Sequence, residues 1–133
     1  MKTIRTLKIS PKRHPELCQI PCNKEGLQKK LQAKSVKDLG ILELEKGIYV
    51  IYHKYGAIDG LPPNRYVHEK ILSGDFFLVQ IKDGKTVSDL PEEVFNRYLV
   101  RFWEPENHTE EEAFFSNLKS LFDGILKNEN PLL

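Results

Sequence analysis

Alternating hydrophobic and polar positions predict several β-strands along the chain. The clearest pair is 39–45 and 47–53, where leucines alternate with glutamates and the second segment is rich in β-branched and aromatic residues. Lys46-Gly47 supplies a tight turn, so these two segments are predicted to form a hairpin. Further strands are predicted at 3–9, 17–20 and 76–81.

Apolar residues spaced three to four apart predict three helices, each with a suitable N-terminal cap. Helix 24–34 follows Asn23, whose side chain can accept a hydrogen bond from the first turn. Helices 91–103 and 110–127 both carry apolar stripes. Their predicted capping boxes pair Asp89 with Glu92 and Thr109 with Glu112.

These elements predict an α+β fold, with a small, mainly antiparallel sheet and helices packed on one face. We expect residues 1–103 to form the core domain, because a stretch typical of a linker follows Trp103. Residues 104–133 are then a C-terminal helical appendage. Its amphipathic helix either adds to the core or forms a surface for self-association as a homodimer.

Length and composition indicate one folded domain: 133 residues, 40% hydrophobic and 29% charged. No apolar run approaches the roughly 20 residues that a membrane-spanning helix needs. The first eight residues alternate in polarity, whereas a signal peptide has a continuous apolar block. We therefore expect a cytoplasmic protein.

The net charge of +1 conceals an uneven distribution. Residues 1–37 carry ten Lys or Arg and two acidic residues, a net +8, while residues 38–133 carry a net −7. This permits a nucleic-acid partner, although no aromatic residue for base stacking precedes Tyr49 and a solvated basic face is the simpler interpretation. The candidate nucleic-acid contacts are Lys12, Arg13, Lys29, Lys30 and Lys34.

The most distinctive segment is 60–65, with the sequence GLPPNR. Two adjacent prolines restrict the backbone, so Asn64 and Arg65 are presented with little conformational freedom. The planar guanidinium suits a carboxylate or phosphate, which suggests a pocket for a small anionic ligand. Alternatively, Arg65 pairs internally with Asp59 or Asp75 and fixes the loop. The pocket hypothesis involves Asn64, Arg65, Tyr52, Tyr66 and His53, with Tyr49 as a further stacking candidate.

Catalytic and metal-binding patterns are not found in the sequence. There is no G-x-S-x-G elbow and no Gly-rich phosphate loop. Cys18 and Cys22 have a C-x-x-x-C spacing, and no histidine stands at ligand spacing with another, so neither a metal nor a cofactor is predicted. His53 and His68 flank the proline segment and could act as acid and base, but each is more typical of a structural or surface histidine.

The aromatic residues near the C-terminus have two interpretations. They either pack in the core or a dimer, or they form the interface with a partner protein. The predicted partner-binding residues are Trp103, Phe114, Phe115 and Phe122.

Three elements carry a resemblance to a known family: GLPPNR at 60–65, ILSGDFF at 71–77 and YLVRF at 98–102. Together they resemble a family of small domains of unknown function from bacterial phages, plasmids and conjugative elements, often near antirestriction genes. The resemblance covers about residues 1–103. This chain departs from the family pattern in its basic loop Lys12-Arg13-His14 and in its extra C-terminal helix.

The resemblance implies a mobile-element context and an α+β fold, without implying a reaction. We therefore expect a non-enzymatic accessory protein of a mobile genetic element in the cytoplasm of a bacterial host. It would bind and inhibit or sequester a host or defence component, either a protein or a small anionic ligand. One alternative is a nucleic-acid-binding regulator, and another is a small enzyme that uses Arg65 with His53 or His68 on a phosphate compound.

Overall fold

The computed structural model describes residues 2–118, which form eight strands and three α-helical segments. The strands are β1 (Thr3–Ile9), β2 (Glu16–Pro21), β3 (Leu39–Glu45), β4 (Ile48–His53), β5 (Pro63–Val67), β6 (Lys70–Ser73), β7 (Phe76–Lys82) and β8 (Thr86–Ser88). The helices are α1 (Lys24–Lys30), α2 (Glu92–Arg101) and α3 (residues 110–118), with a 3₁₀ turn at Val36–Asp38.

Six strands form one antiparallel sheet in the order β2-β1-β7-β4-β3, with β8 also paired to β7. Strand β7 is central: β1 pairs with its first half, β8 pairs with its second half, and β4 lies along its other edge. Strands β5 and β6 form a separate two-stranded hairpin. The predicted α+β class and antiparallel sheet are therefore confirmed.

Strand β7 is apolar and buried at every position from 76 to 79. A strand that is apolar on both sides indicates that both faces of the sheet are covered. Phe76 and Leu78 point into a core that includes residues of α2 and of the β5–β6 hairpin. Phe77 and Val79 point into a second core, which includes Leu27 of α1. The helices thus lie on both faces, whereas the sequence predicted them on one.

The β3–β4 hairpin has the predicted turn, and its strands match the prediction except that β4 begins at Ile48 and not at Gly47. Gly47 has a φ of +81°, a left-handed conformation that glycine adopts at little cost. The register shifts between Glu43 and Glu45, which marks a bulge near the end of β3.

No strand was predicted for residues 63–73, where the structure has the β5–β6 hairpin. Pro63 stands at the start of β5, where its missing N–H costs no ladder hydrogen bond. The two-residue turn of His68 and Glu69 has φ values of 47° and 61°. Positive φ at both turn residues is the signature of a type I′ turn.

The predicted helix caps have different outcomes. Asn23 accepts from the Gly26 N–H at 2.7 Å and caps α1 as predicted. The capping box of Thr109 and Glu112 is confirmed, with bonds of 2.8 and 3.0 Å. The box at Asp89 is wrong: the N-cap of α2 is Pro91, and Asp89 accepts from the Arg5 N–H of β1 at 2.7 Å.

The segment after α2 is bonded to both strands of the β5–β6 hairpin. The Glu106 carboxylate accepts from the Tyr66 N–H of β5 at 2.8 Å. On β6, Ser116 Oγ accepts from the Ile71 N–H at 2.9 Å, and Asn117 Nδ2 donates to the Ile71 carbonyl at 2.8 Å. The division into a core of 1–103 and an appendage of 104–133 stays a prediction.

Candidate functional site

Arg65 is buried, with none of its surface exposed. Its Nη1 donates to the Ser10 carbonyl at 3.0 Å, and its Nη2 donates to the Arg13 carbonyl at 2.7 Å. Nε and Nη2 both donate to the Phe102 carbonyl, at 3.2 and 2.7 Å. The guanidinium therefore joins the turn after β1 to the end of α2.

Asn64 extends this arrangement, since its amide is also buried and fully bonded. Its Oδ1 accepts from Arg65 Nη1 at 2.9 Å. Its Nδ2 donates to the carbonyls of Ile9, at 3.0 Å, and Gly74, at 2.8 Å. We call Asn64 and Arg65, with the carbonyls that they bind, the Arg65 clamp.

Gly74 also contacts segment 60–65 in two further ways. Its N–H donates to the Pro62 carbonyl at 2.7 Å. Its φ is +82°, and a Cβ built there would lie 2.7 Å from Leu61 Cδ1. Only glycine fits this position without strain.

The charge of Arg65 is balanced chiefly by dipoles. Burial lowers the pKa of the guanidinium, and the carboxylates of Glu106 and Glu104 oppose that change. The side chain remains a cation at neutral pH. Because it bonds to Phe102, the C-cap of α2, the charge sits at the negative end of that helix, which stabilises it.

Asn64 and Arg65 are thus bonded internally, and a ligand would have to displace those bonds to reach them. The alternative pairing of Arg65 with Asp59 or Asp75 is wrong, because backbone carbonyls occupy the guanidinium. Asp75 instead lies 3.8 Å from Lys8 Nζ, and Asp59 lies 3.0 Å from His53 Nε2.

His53 is buried and uses both ring nitrogens. Nδ1 accepts from the Tyr55 N–H at 3.1 Å, so Nε2 carries the proton and donates to Asp59. His68 lies in the β5–β6 turn and donates from Nε2 to the Glu43 carbonyl of β3 at 2.9 Å. Each histidine therefore has its own structural partner, and no shared substrate position is formed between them.

The predicted stacking tyrosines are spread over different surroundings. Tyr52 is buried in the first core, and its hydroxyl accepts from Lys70 Nζ at 3.1 Å. Tyr49 packs against the second core, and Tyr66 is exposed on β5. A groove of about 170 Å³ lies elsewhere, lined by Arg5, Leu17, Glu92, Phe95 and Asn96.

Each of the three sequence elements that carried the resemblance contributes to the Arg65 clamp. Segment 60–65 contributes Asn64 and Arg65, segment 71–77 contributes Gly74, and segment 98–102 contributes Phe102. A family model described as a domain of unknown function (DUF3846) matches residues 4–102. The chain belongs to the DUF3846 family. Neither the curated proteins nor the solved structures gave a match. The whole clamp lies inside the DUF3846 match, so we interpret it as a structural device of the DUF3846 domain.

Helix α3 lies beyond the DUF3846 match, and its phenylalanines lie on the exposed side of the helix. Ala113 is buried, and Ser116 and Asn117 bond to β6. Phe114 and Phe115, in edge-to-face contact at 5.5 Å, are 38% and 61% exposed. We call the outward-facing residues the α3 aromatic surface: Phe114, Phe115 and Leu118. Phe122 lies outside the described residues.

The basic residues of the nucleic-acid hypothesis fall in two places. Lys29 and Lys30 belong to the last turn of α1, with Lys34 just after it, and all three are exposed. Lys12 and Arg13 lie in the turn after β1, which the Arg65 clamp holds. None of the five forms a salt bridge within residues 2–118.

One contact between distant residues was missed by sequence reasoning. The rings of His14 and Trp103 are stacked, with centroids 4.0 Å apart and planes 9° apart. The two residues are 89 positions apart, so no local pattern could have predicted the contact.

No group of three or more His, Cys, Asp or Glu residues in the described part of the chain could hold a metal ion. Residues 2–118 contain no helix long and apolar enough to cross a membrane.

Proposed function

We propose that this chain is a non-enzymatic binding protein that presents the α3 aromatic surface to a protein partner. The observation that carries the proposal is the orientation of α3. Ala113 is buried and the polar residues Ser116 and Asn117 are hydrogen-bonded to β6, whereas the phenylalanines are exposed. A helix packed only for stability would bury its aromatic residues instead.

The composition of this surface suits a protein interface. Exposed aromatic residues are enriched at interfaces, where burying them on a partner supplies much of the binding free energy. Glu110 and Glu111 lie beside Phe114 and Phe115 at the start of α3, and such charged residues are typical of an interface rim.

The mobile-element context implied by the sequence resemblance supports a particular class of partner. An accessory protein of a phage or plasmid acts in the cytoplasm of its bacterial host, so the partner would be a host or defence-system protein. Binding would inhibit or sequester that protein. A small anionic ligand is less well supported, because the guanidinium of Arg65 is already bonded within the Arg65 clamp.

A binding experiment with matched variants tests this proposal. Tagged wild-type protein and the variants Phe115→Asp and Ile58→Asp would be used to capture partners from host lysate under gentle conditions. Ile58 is also exposed, at 57%, but lies in the turn after β4. We expect one or more proteins to be retained by the wild type and by Ile58→Asp, and lost with Phe115→Asp.

The outcomes distinguish the proposal from its alternatives. Retention of the same proteins by Phe115→Asp would contradict it. Native mass spectrometry of the purified protein shows whether a homodimer or a bound metabolite is present instead. A dimer that Phe115→Asp converts to monomer would reassign the α3 aromatic surface to self-association.

A second candidate function, a nucleic-acid-binding regulator, is favoured by the exposed lysines of α1. Lys29, Lys30 and Lys34 are available to contact phosphates. Binding of duplex DNA at low ionic strength that is lost in the triple Lys→Gln variant would support it. Binding that is unchanged in that variant would eliminate this face.

A further inference from the structure

The His14–Trp103 stack forms an exposed planar surface at the edge of the DUF3846 domain. Trp103 is 43% exposed, and His14 is exposed as well. His14 Nδ1 donates to the Trp103 carbonyl at 2.6 Å, which holds the imidazole stacked parallel to the indole. The pair is held by two contacts, so little conformational freedom remains to be lost when a third ring stacks on it.

The Arg65 clamp holds the two halves of this surface together. Arg65 bonds to the carbonyls of Ser10 and Arg13, at both ends of the turn that leads to His14. It also bonds to the carbonyl of Phe102, the residue before Trp103. A buried cation thus positions an exposed aromatic pair that the sequence separates by 89 residues.

Cationic residues are close to the stack along the chain. Lys12 and Arg13 directly precede His14, and both side chains are exposed. Arg101 lies over the Phe102 ring, with its guanidinium carbon 5.0 Å from the ring centroid. Glu104, which follows Trp103, and Glu16, two residues after His14, are acidic neighbours along the chain and reduce the local positive potential. An aromatic platform beside a short basic turn is suited to a base and its flanking phosphates.

We propose that the His14–Trp103 stack binds an unstacked base of a single-stranded nucleic acid, while Lys12 and Arg13 contact the adjacent phosphates. Every base offers a planar face to stack, so binding tolerates different sequences. Duplex bases are stacked on their neighbours and cannot reach the platform, so duplex binds more weakly. This site is independent of the α3 aromatic surface and of the lysines on α1.

Trp103 is the single tryptophan of the chain, so its fluorescence reports directly on the site. The wild-type protein would be titrated with an eight-nucleotide oligothymidylate and, separately, with a blunt-ended GC-rich duplex. We expect the oligothymidylate to quench the fluorescence in a saturable manner and the duplex to quench it weakly. Two phosphate contacts predict that log K falls with log salt concentration with a slope of about −1.4.

Variants then locate the site, with binding followed by the anisotropy of a labelled oligothymidylate. Trp103→Ala is expected to weaken binding about tenfold or more, and Trp103→Phe to restore most of it. Lys12→Gln with Arg13→Gln should weaken binding and flatten the salt dependence. The matched control, Lys29→Gln with Lys30→Gln on α1, should leave the affinity and its salt dependence unchanged.

Three results would overturn the proposal. The first is no saturable quenching at low salt. The second is equal affinity for single strand and duplex. The third is binding that is lost in the α1 control but kept in Trp103→Ala, which would place the nucleic acid on α1. Circular dichroism of each variant, whose substituted residues are all exposed, confirms that lost binding is not lost folding.

Discussion

The guanidinium of Arg65 has no carboxylate among its hydrogen-bond partners in the described structure, so its hydrogen bonds all go to neutral acceptors. Lysine carries the same charge but cannot span three carbonyls with one ammonium group. Arg65→Lys is therefore expected to lower the free energy of unfolding by about 3 kcal/mol, because buried acceptors lose their donors.

Urea unfolding followed by circular dichroism measures this effect. Arg97→Lys is the matched control: Arg97 is exposed and pairs with Glu45 on the surface, where an ion pair contributes about 0–1 kcal/mol. Similar losses in the two variants would show that the Arg65 clamp is not a stabilising centre.

Ser73 provides a second test at the same scale. Its Oγ is buried and has no hydrogen-bond partner within the described residues. Removing an unsatisfied hydroxyl leaves nothing unpaired, so Ser73→Ala is expected to keep or raise the stability by up to about 1 kcal/mol. Thr6, whose buried hydroxyl donates to the Leu78 carbonyl, is the contrast. Thr6→Val should destabilise by about 1 kcal/mol, and equal effects in both variants would contradict this account.

At the scale of elements, the turn of the β5–β6 hairpin is strained. Glu69 has a φ of 61°, which costs a residue with a Cβ about 1 kcal/mol or more. Glu69→Gly is therefore expected to raise the thermal midpoint, with a gain of roughly 0.5 kcal/mol after the entropy of glycine is included. Lys46→Gly in the β3–β4 turn is the control, because Lys46 does not have a positive φ. A gain there of the same size would contradict this account, because no positive φ is relieved at Lys46.

The stability of the first turn of α3 is expected to depend on pH. Hydrogen bonds from Thr109 lower the pKa of Glu112 from its usual 4.5. A lowered folded-state pKa means that the ionised form stabilises the helix at pH above about 4.5, and that this contribution is lost as the pH falls further. NMR chemical shifts of the α3 amides should show this loss in the wild type. The loss should persist in Glu111→Gln and disappear in Glu112→Gln, whose amide does not ionise.

Elements with a regular period were predicted well, and the rest depend on contacts across the fold. Strands β1, β3, β4 and β7 follow their alternating or apolar patterns. Strand β5 was missed because two prolines resemble a loop, although a proline at the start of a strand is compatible with pairing. Asp89 fits the spacing of a capping box, but β1 brings the N–H of Arg5 within its reach and decides its partner. The backbone carbonyls that bind Arg65 lie 37 to 55 residues away, beyond any local signal.

At the scale of the whole molecule, α3 covers the outward-facing backbone of β6 through two side chains. Removing both, in Ser116→Ala with Asn117→Ala, leaves the Ile71 N–H without its acceptor. Amide hydrogen exchange at Ile71 is expected to accelerate about fivefold or more, as the loss of roughly 1 kcal/mol implies. Phe114→Ala, on the outer side of α3, should leave that rate unchanged. If both variants exchange alike, α3 does not protect β6.

The Arg65 clamp also bears on how the chain acquires its fold during synthesis. Residues 10 and 13 leave the ribosome early, Arg65 follows, and the acceptor at Phe102 emerges last. Until then the cation cannot be buried without losing an acceptor, so shorter nascent chains should remain open. The domain is therefore expected to close in one late cooperative step, once translation has passed the end of α2.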